Sequence, residues 1–458
     1  MRPKTCFIRL TATVGIFALS LLATNRCAAG EKVLHAFSES AKDGRTTVRG
    51  WAADATGNLY GTTREGGAHA SGTVFEMTPV VGGGWTEKVL YSFTEKPPNA
   101  YYPDAGLIFD AAGNLYGTTE AGGTSNFGTV FELSPVKDGG WREKVLHSFA
   151  GADGSTPYAS LIFDGSGNLY GTTEVGGAYG YGTVFELVPG TGGTWTQKVL
   201  YSFTGTRGTN PYASLILDAS GNLYSTTQTG GAYGHGTVFE LIPSKGGHWT
   251  EKILHNFNNP DGTYPSAGLI FDTAGNLYGT SVEGGTYNLG TVFELMPISG
   301  GGWTETVLHN FGGADGSTPS ASLVFDSAGN LYGTTGGGGT GSCGQYQGSC
   351  GTVFELTPAT GGGWTETVLH NFARNDIYFP YAGLILDAAG NLYGTATSGG
   401  SGKGCGKPHC GAVFELTPVV GGGWTETVLH NFHTQPADGY GPEAGLIFSP
   451  ASRSSKTP

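Results

Sequence analysis

The chain has 458 residues, of which only 13% are charged, while 82 are glycine, 22 tyrosine and 24 phenylalanine. This composition is typical of a turn-rich all-β protein and excludes a disordered chain, because aromatic residues are plentiful. The formal net charge of −13 disfavours a nucleic-acid partner, since phosphate contacts require a basic surface.

The N-terminus has the layout of a secretory signal peptide. Its apolar run is Leu10–Ala23, and it is preceded by the basic residues Arg2, Lys4 and Arg9. Cys27 and Ala29 fit the −3 and −1 positions of a cleavage site, so residues 1–29 are predicted to be removed near Ala29. Lipid attachment at Cys27 is the alternative, which the preceding Arg26 disfavours.

Cleavage would leave 19 positive and 36 negative side chains, a net charge of −17. No later segment of the mature chain is long and apolar enough to span a membrane. We therefore expect a secreted, cell-surface or periplasmic protein.

The rest of the chain is one repeat. The tetrapeptide Gly-Asn-Leu-Tyr recurs at spacings of 56, 54, 54, 54, 54 and 61 residues, with its glycine at Gly57, Gly113, Gly167, Gly221, Gly275, Gly329 and Gly390. A fixed period of this size indicates a stacked or radial array. The sequence predicts a single domain over residues 30–449 and a polar tail over residues 450–458.

Each repeat contains four β-type segments, as in Ala159–Phe203. The first is the apolar run LIFD, which we expect to be buried on both faces. An Asp-x-x-Gly-Asn hairpin turn leads into NLYGTT, a glycine-rich loop connects this to GTVFEL, and a Gly-Trp turn precedes VLYSF. Helical periodicity is absent outside the signal peptide.

Four strands in about 54 residues, repeated seven times, match the blade of a β-propeller, whose radial packing protects the edges of each sheet. Eight LIFD-type and eight VLHxF-type segments are present, against seven of each other type. Seven blades with extra closure strands at the termini (Val33–Phe37 and Leu446–Ser449) are predicted, and an incomplete eighth blade is the alternative.

The string NLYGTT, then GG, four residues and GTVFEL resembles the GloVer tandem repeat of secreted bacterial proteins, which is named after Gloeobacter and Verrucomicrobia. The resemblance covers the mature chain and implies a propeller, without implying an activity. LIFDxxGNLYGT is also loosely similar to NHL repeats. That similarity implies that LIFD lines the central channel and that VLYSF is the outer edge.

Four cysteines remain after the signal peptide and form two close pairs, Cys343 with Cys350 and Cys405 with Cys410. In an exported chain this pattern predicts two disulfide bonds that staple loops. Zinc is the alternative because His409 adjoins Cys410, but spacings of seven and five residues exceed those usual for zinc ligands.

Glutamate and histidine recur in the third and fourth segments of the repeats, as at Glu186 and His255. A residue needed in every blade is best explained by a structural role, and Tyr91 and Tyr201 replace the histidine in two repeats. No metal site, cofactor or catalytic residue is predicted. The GGSGKGCGK stretch at Lys403 lacks the Ser or Thr and the helix of a phosphate loop.

The loops after VLHxF and after NLYGTT vary between repeats, and an antiparallel blade places both sets on one face. We call this the variable-loop face. Loops on a rigid scaffold often carry binding residues, and tyrosine suits sugars or peptides. The predicted ligand-binding residues are Tyr158, Tyr179, Tyr181, Tyr212, Tyr233, His235, Tyr264, Tyr287 and Tyr381.

The sequence thus favours a secreted, non-catalytic propeller that binds a carbohydrate or a protein through its variable-loop face. One alternative is an extracellular lyase or hydrolase with a site at the channel mouth, for which His235 and Asp376 are the candidates. The other is a structural envelope or matrix protein. The sequence makes no prediction of oligomeric state.

Overall fold

A computed structural model describes residues 45–47, 50–80, 85–96, 98–137, 139–341, 350–373, 377–400, 411–431 and 445–446. The proposed signal peptide, the closure strand Val33–Phe37 and the tail 450–458 lie outside these ranges. Of the segment Leu446–Ser449, only Leu446 is described.

Seven four-stranded antiparallel sheets are arranged in a ring as the blades of a β-propeller, which confirms the predicted fold class. Blade 1 contains β1 (Arg45–Thr47), β2 (Ala52–Ala53), β3 (Leu59–Glu65), β4 (Thr73–Pro79) and β5 (Trp85–Ser92). Blade 2 contains β6 (Ala100–Pro103), β7 (Ile108–Phe109), β8 (Leu115–Gly122), β9 (Thr129–Pro135) and β10 (Trp141–Ser148). In both, the first strand listed is an additional short strand that pairs with the second strand of the repeat.

The next four blades have four strands each. Blade 3 contains β11 (Ile162–Phe163), β12 (Leu169–Thr173), β13 (Thr183–Pro189) and β14 (Trp195–Ser202), with one 3-10 turn at Thr191–Gly193. Blade 4 contains β15 (Ile216–Leu217), β16 (Leu223–Thr227), β17 (Thr237–Pro243) and β18 (Trp249–Asn256). Blade 5 contains β19 (Ile270–Phe271), β20 (Leu277–Ser281), β21 (Thr291–Ile298) and β22 (Gly302–Asn310). Blade 6 contains β23 (Val324–Phe325), β24 (Leu331–Thr335), β25 (Thr352–Pro358) and β26 (Trp364–Asn371).

Blade 7 is formed by β28 (Ile385–Leu386), β29 (Leu392–Ala396), β31 (Ala412–Pro418) and β32 (Trp424–Asn431). Two further short strands, β27 (Ile377–Tyr378) and β30 (Ser398–Gly399), pair with each other beside it. In every blade the four repeat strands follow one another across the sheet in sequence order.

The first strand of each blade is shorter and less buried than predicted. In blade 3 only Ile162 and Phe163 are in β-conformation, and both are half-buried, whereas the preceding Leu161 is 1% exposed. Ile162 packs against the core between blades 3 and 4, and Phe163 packs against the core between blades 2 and 3. Both faces of the strand therefore contact a neighbouring blade, but the burial is only partial, because this strand is the first of its sheet and has a neighbouring strand on one side only.

The Asp-x-x-Gly-Asn turns form as predicted. In blade 3 one carboxylate oxygen of Asp164 accepts the backbone N–H groups of Ser166 and Asn168, each at 2.8 Å. Gly167 between them has φ 84°, a left-handed conformation that glycine adopts without a steric penalty. The turn reverses the chain into the second strand.

Aromatic rings fill the interfaces between blades. Phe149 at the end of blade 2 lies edge-on against Phe185 of blade 3, with ring centroids 5.2 Å apart and both side chains fully buried. On the opposite side of the disc, Trp195 of blade 3 packs on Tyr116 of blade 2 at 6.0 Å. Such edge-to-face pairs contribute about 0.5–1.5 kcal/mol beyond the area they bury, so each blade is held by its neighbour.

Candidate functional site

Both sets of variable loops lie on the same face, as the sequence predicted. The loop that enters blade 3 pairs with the loop after β12 through a bridge between Ser155 and Val175. In the next blade, the backbone N–H of Asn210 donates to the carbonyl of Tyr181 at 3.1 Å, and the carbonyl of Asn210 accepts from Gln228 at 3.0 Å. Each entry loop therefore joins the loops of two adjacent blades.

The residue before the proline of each entry loop has a left-handed backbone. Six non-glycine residues at this position have φ between 52° and 65°: Tyr102, Thr156, Asn210, Tyr264, Thr318 and Phe379. This conformation costs about 1–3 kcal/mol for a residue with a side chain. In each case the backbone N–H donates to a carbonyl of the preceding blade, as Tyr264 does to His235 at 3.1 Å. The six entry loops therefore have the same backbone path.

This backbone path brings two positions of the repeat that vary between blades close to each other, near the start of the first strand. One is the residue after the proline of the entry loop. The other is the residue that follows the Thr-Thr, Thr-Ser or Thr-Ala pair at the end of NLYGTT and its variants. We call these two sets the inner rim, which consists of Asp104, Tyr158, Tyr212, Ser266, Ser320 and Tyr381 with Arg64, Glu120, Glu174, Gln228, Val282, Gly336 and Thr397.

Contacts around the ring show that the inner-rim residues of successive blades are neighbours. The rings of Tyr158 and Tyr212 have centroids 5.5 Å apart and are inclined at 45°. The amide of Gln228 donates to the hydroxyl of Ser266 at 3.1 Å. Two residues beyond Tyr158, the hydroxyl of Ser160 accepts the backbone N–H of Gly106 of the preceding blade at 3.0 Å, which shows how closely the blades approach here.

Charged groups occupy the sector of the inner rim in blades 1 to 3. The guanidinium of Arg64 pairs with Glu120 and lies 3.7 Å from Asp104. Burial and the neighbouring Glu120 raise the pKa of the Glu174 carboxyl, and burial with Glu120 likewise raises the pKa of the Tyr158 hydroxyl. The tyrosine therefore remains a neutral donor beside carboxylates that accept hydrogen bonds.

The nine predicted ligand-binding residues fall into separate groups. Tyr158 and Tyr212 meet at the inner rim, and Tyr381 stacks on Phe379 at 6.0 Å in the same kind of position. The other six lie farther along the loops: Tyr179, Tyr181, Tyr233, His235, Tyr264 and Tyr287.

Three of these six form an outer row at equivalent positions of consecutive blades. Tyr179, Tyr233 and Tyr287 are 61%, 61% and 62% exposed. Tyr181 is 45% exposed and its ring lies over Gly205 of the next entry loop.

Tyr264 is 37% exposed. His235 is part-buried, and its Nδ1 lies 3.1 Å from the hydroxyl of Thr263. The other candidate of the enzymatic alternative, Asp376, lies outside the described residues.

Sequence reasoning missed the polar half of the inner rim, namely Arg64, Asp104, Glu120, Glu174 and Gln228. The sequence does contain a signal for them, at the position directly after NLYGTT and its variants. This residue is arginine in the first blade and changes to glutamate, glutamine, valine, glycine and threonine around the ring. Comparing the repeats column by column would have found it.

The repeated residues near the opposite face connect neighbouring strands within each blade. In blade 3 the hydroxyl of Tyr170 donates to Glu186 at 3.0 Å, and the ammonium of Lys198 lies 3.0 Å from the other carboxylate oxygen. This geometry agrees with a structural role for the repeated glutamate. A cleft of about 700 Å³ on this face, between blades 2 and 3, is lined largely by such repeated residues, including Tyr116, Glu132 and Trp195.

Cys350 is disulfide-bonded. The other three cysteines of the repeat region, Cys343, Cys405 and Cys410, lie outside the described residues, so both predicted pairings stay predictions. In the part of the chain that the structure describes, no helix has the length and hydropathy needed to cross a bilayer.

A family model described as the Gloeobacter/Verrucomicrobia repeat matches residues 16–216, 138–347 and 216–452. The chain belongs to this repeat family. The matches confirm the resemblance carried by the NLYGTT and GTVFEL strings. For this Gloeobacter/Verrucomicrobia repeat protein, a comparison with curated proteins found no match.

Several solved structures are distantly similar to the repeat protein. A puromycin-hydrolysing peptidase of Mycobacterium tuberculosis is 11% identical over 88% of this chain, with a TM-score of 0.48, and this chain spans only 57% of its length. The BP39L lectin of Burkholderia pseudomallei is 10% identical over 84% of this chain and 98% of the lectin, with a TM-score of 0.49. A protein of unknown function from Dyadobacter fermentans is 11% identical over 87% and 98%, with a TM-score of 0.36. Structural similarity at this level does not support an inference about function.

Proposed function

We propose that this chain is a secreted, non-catalytic propeller that binds a carbohydrate at the inner rim of its variable-loop face. The observation that carries the proposal is the change of residue from repeat to repeat at this rim, on a scaffold whose strands are nearly constant. The basic and apolar N-terminal segment that ends at Ala29 supports secretion.

The chemistry of the inner rim suits a polyhydroxylated ligand. Tyr158 and Tyr212 offer adjoining aromatic rings, which can cover the apolar face of a sugar. Glu120, Glu174 and Gln228 supply acceptors and an amide donor beside them. A few polar groups around apolar surface is the usual composition of a small-molecule site.

A protein partner is the second candidate, and a separate feature favours it. The outer row of Tyr179, Tyr233 and Tyr287 presents three rings that are each more than 60% exposed. Exposed tyrosines are enriched in protein interfaces. A carbohydrate ligand should therefore be sensitive to substitutions at the inner rim, and a protein partner to substitutions in the outer row of the same face.

A glycan array followed by affinity measurements on two variants tests the proposal. One variant combines Tyr158→Ala with Tyr212→Ala, and the other replaces Tyr179, Tyr233 and Tyr287 by alanine. Each lost aromatic contact contributes about 0.5–1.5 kcal/mol, so the two substitutions together should weaken oligosaccharide binding by about 1–3 kcal/mol, or roughly 5- to 150-fold.

The outer variant is the matched control and should bind the same oligosaccharide with unchanged affinity. Circular dichroism establishes that both variants are folded. Loss of binding in the outer variant alone would place the ligand elsewhere on the face, and no binding to any glycan would contradict the proposal.

A further inference from the structure

A histidine near the end of the fourth strand lies close to acidic residues of the following loop and of the next blade, away from the inner rim. In blade 4 this is His255 on β18, where a β-bulge interrupts the register between Val238 and Phe239. Asp261 in the following loop and Glu305 on β22 of blade 5 complete a cluster. Blade 5 repeats it across its boundary with blade 6, in the cluster of His309, Asp315 and Glu366.

The ligand atoms of each cluster are close together. One nitrogen or oxygen from each of the three residues lies within 4.8 Å of the other two. The Nε2 of His255 is 3.1 Å from a carboxylate oxygen of Asp261, and the same atoms of His309 and Asp315 are 2.8 Å apart. The other oxygen of Asp261 accepts the backbone N–H of Asn258 at 2.9 Å, which fixes the orientation of the carboxylate.

The glutamate of each cluster has unused acceptor capacity. Oε1 of Glu305 and Oε1 of Glu366 are buried and lack a hydrogen-bond partner. Among the described residues, no lysine or arginine forms an ion pair with either glutamate.

Two of the other blade boundaries have different residues at the same positions. Between blades 3 and 4, Glu251 takes the place of Glu305, and Arg207 neutralises it where the clusters have an aspartate. Between blades 2 and 3, His147 and Asp153 are 2.8 Å apart, but the third position is the uncharged Gln197. Gln197 and Glu305 occupy the same register, opposite Leu187 and Leu295.

We propose that the two clusters each bind a divalent transition-metal ion, for which Zn²⁺ is the natural probe. Histidine nitrogen and carboxylate oxygen are both zinc ligands, and a zinc site with three protein ligands takes a water molecule in its fourth position. The imidazole favours Zn²⁺ over Ca²⁺ or Mg²⁺, which prefer oxygen ligands.

The charges also fit. With a neutral histidine, the two carboxylates carry two negative charges that a divalent ion cancels. Because Glu305 belongs to blade 5 while His255 belongs to blade 4, each ion would connect adjacent blades.

Zinc content of the full mature chain, measured by equilibrium dialysis and mass spectrometry at pH 7.5, tests this inference. The Glu305→Gln plus Glu366→Gln variant gives both clusters the residue that the chain already has at Gln197, so the fold should be retained. We expect it to bind two fewer zinc ions than the native chain, because each cluster loses one of its two carboxylate ligands.

The reverse substitution, Gln197→Glu, should add one zinc site beside His147 and Asp153. Zinc should also raise the melting temperature of the native chain more than that of the double variant, because it binds only the folded sites. Equal zinc content in the native chain and the double variant, or no added site after Gln197→Glu, would overturn the proposal.

Discussion

The hydrogen bond between the repeated tyrosine and glutamate allows a quantitative prediction. In blade 4, Tyr224 is 4% exposed and its hydroxyl donates to Glu240 at 2.8 Å, while lying 3.1 Å from Asp218. Tyr224→Phe removes this donor from a carboxylate that is itself 6% exposed and whose nearest cation, Lys252, is 3.5 Å away. A hydrogen bond to a charged group contributes about 1.5–3 kcal/mol, so we expect a loss of about 2–3 kcal/mol in the free energy of unfolding.

Blade 2 supplies a matched control. There the hydroxyl of Tyr116 donates to Asp110 at 3.0 Å, whereas Glu132 accepts from Ser134 at 2.7 Å. Asp110 keeps three other donors from residues 112 and 114 when the hydroxyl is removed. Tyr116→Phe should therefore cost less, about 1 kcal/mol, because the Asp110 carboxylate stays hydrogen-bonded.

Equilibrium unfolding in urea, followed by tryptophan fluorescence and circular dichroism, measures the difference. Coincident transitions would support a two-state treatment, and an unchanged slope would show that the substitution altered stability alone. Equal costs for Tyr224→Phe and Tyr116→Phe would refute the reasoning, because only the former leaves a buried carboxylate without its donor.

Two further predictions concern the variable-loop face. A Cβ on Gly236 (φ 98°) would lie 2.5 Å from the carbonyl oxygen of Thr227 and 2.7 Å from Cδ of Pro265, so Gly236→Ala should cost at least about 3 kcal/mol. Gly234→Ala, with φ 82° but nothing within 4 Å, should cost about 1 kcal/mol, and urea midpoints compare the two. Burial raises the pKa of Glu174 above its usual 4.5. Between pH 4.5 and this raised pKa the folded state binds more protons than the unfolded state, so the free energy of unfolding falls as the pH rises through this range. Glu174→Gln should accordingly be more stable than the native chain at pH 8 and lose this advantage below pH 4.5; an advantage that grew on acidification would contradict the assignment.

The repeat made most of the fold predictable from sequence. Period and strand count predicted seven four-stranded blades, and the Asp-x-x-Gly-Asn signature predicted turns such as that at Asp164. The antiparallel order was enough to place both loop sets on one face. The short first strands were not predicted, because the apolar run LIFD does not show how many of its residues pair.

The composition of the candidate sites depends on radial packing. Tyr158 and Tyr212 are 54 residues apart and meet only because their blades are adjacent. His255 and Glu305 are likewise brought together across a blade boundary. Such neighbours can be inferred only by aligning the repeats and placing equivalent positions around a ring.

Hydroxyl-radical footprinting with a bound oligosaccharide locates the binding site, because mass spectrometry reports the oxidation of individual tyrosines. At saturating ligand, we expect protection of Tyr158 and Tyr212 at the inner rim. We also expect unchanged oxidation of the exposed Tyr233 in the outer row. Protection of Tyr233 with unchanged Tyr158 and Tyr212 would contradict the claim that the inner rim is the binding site.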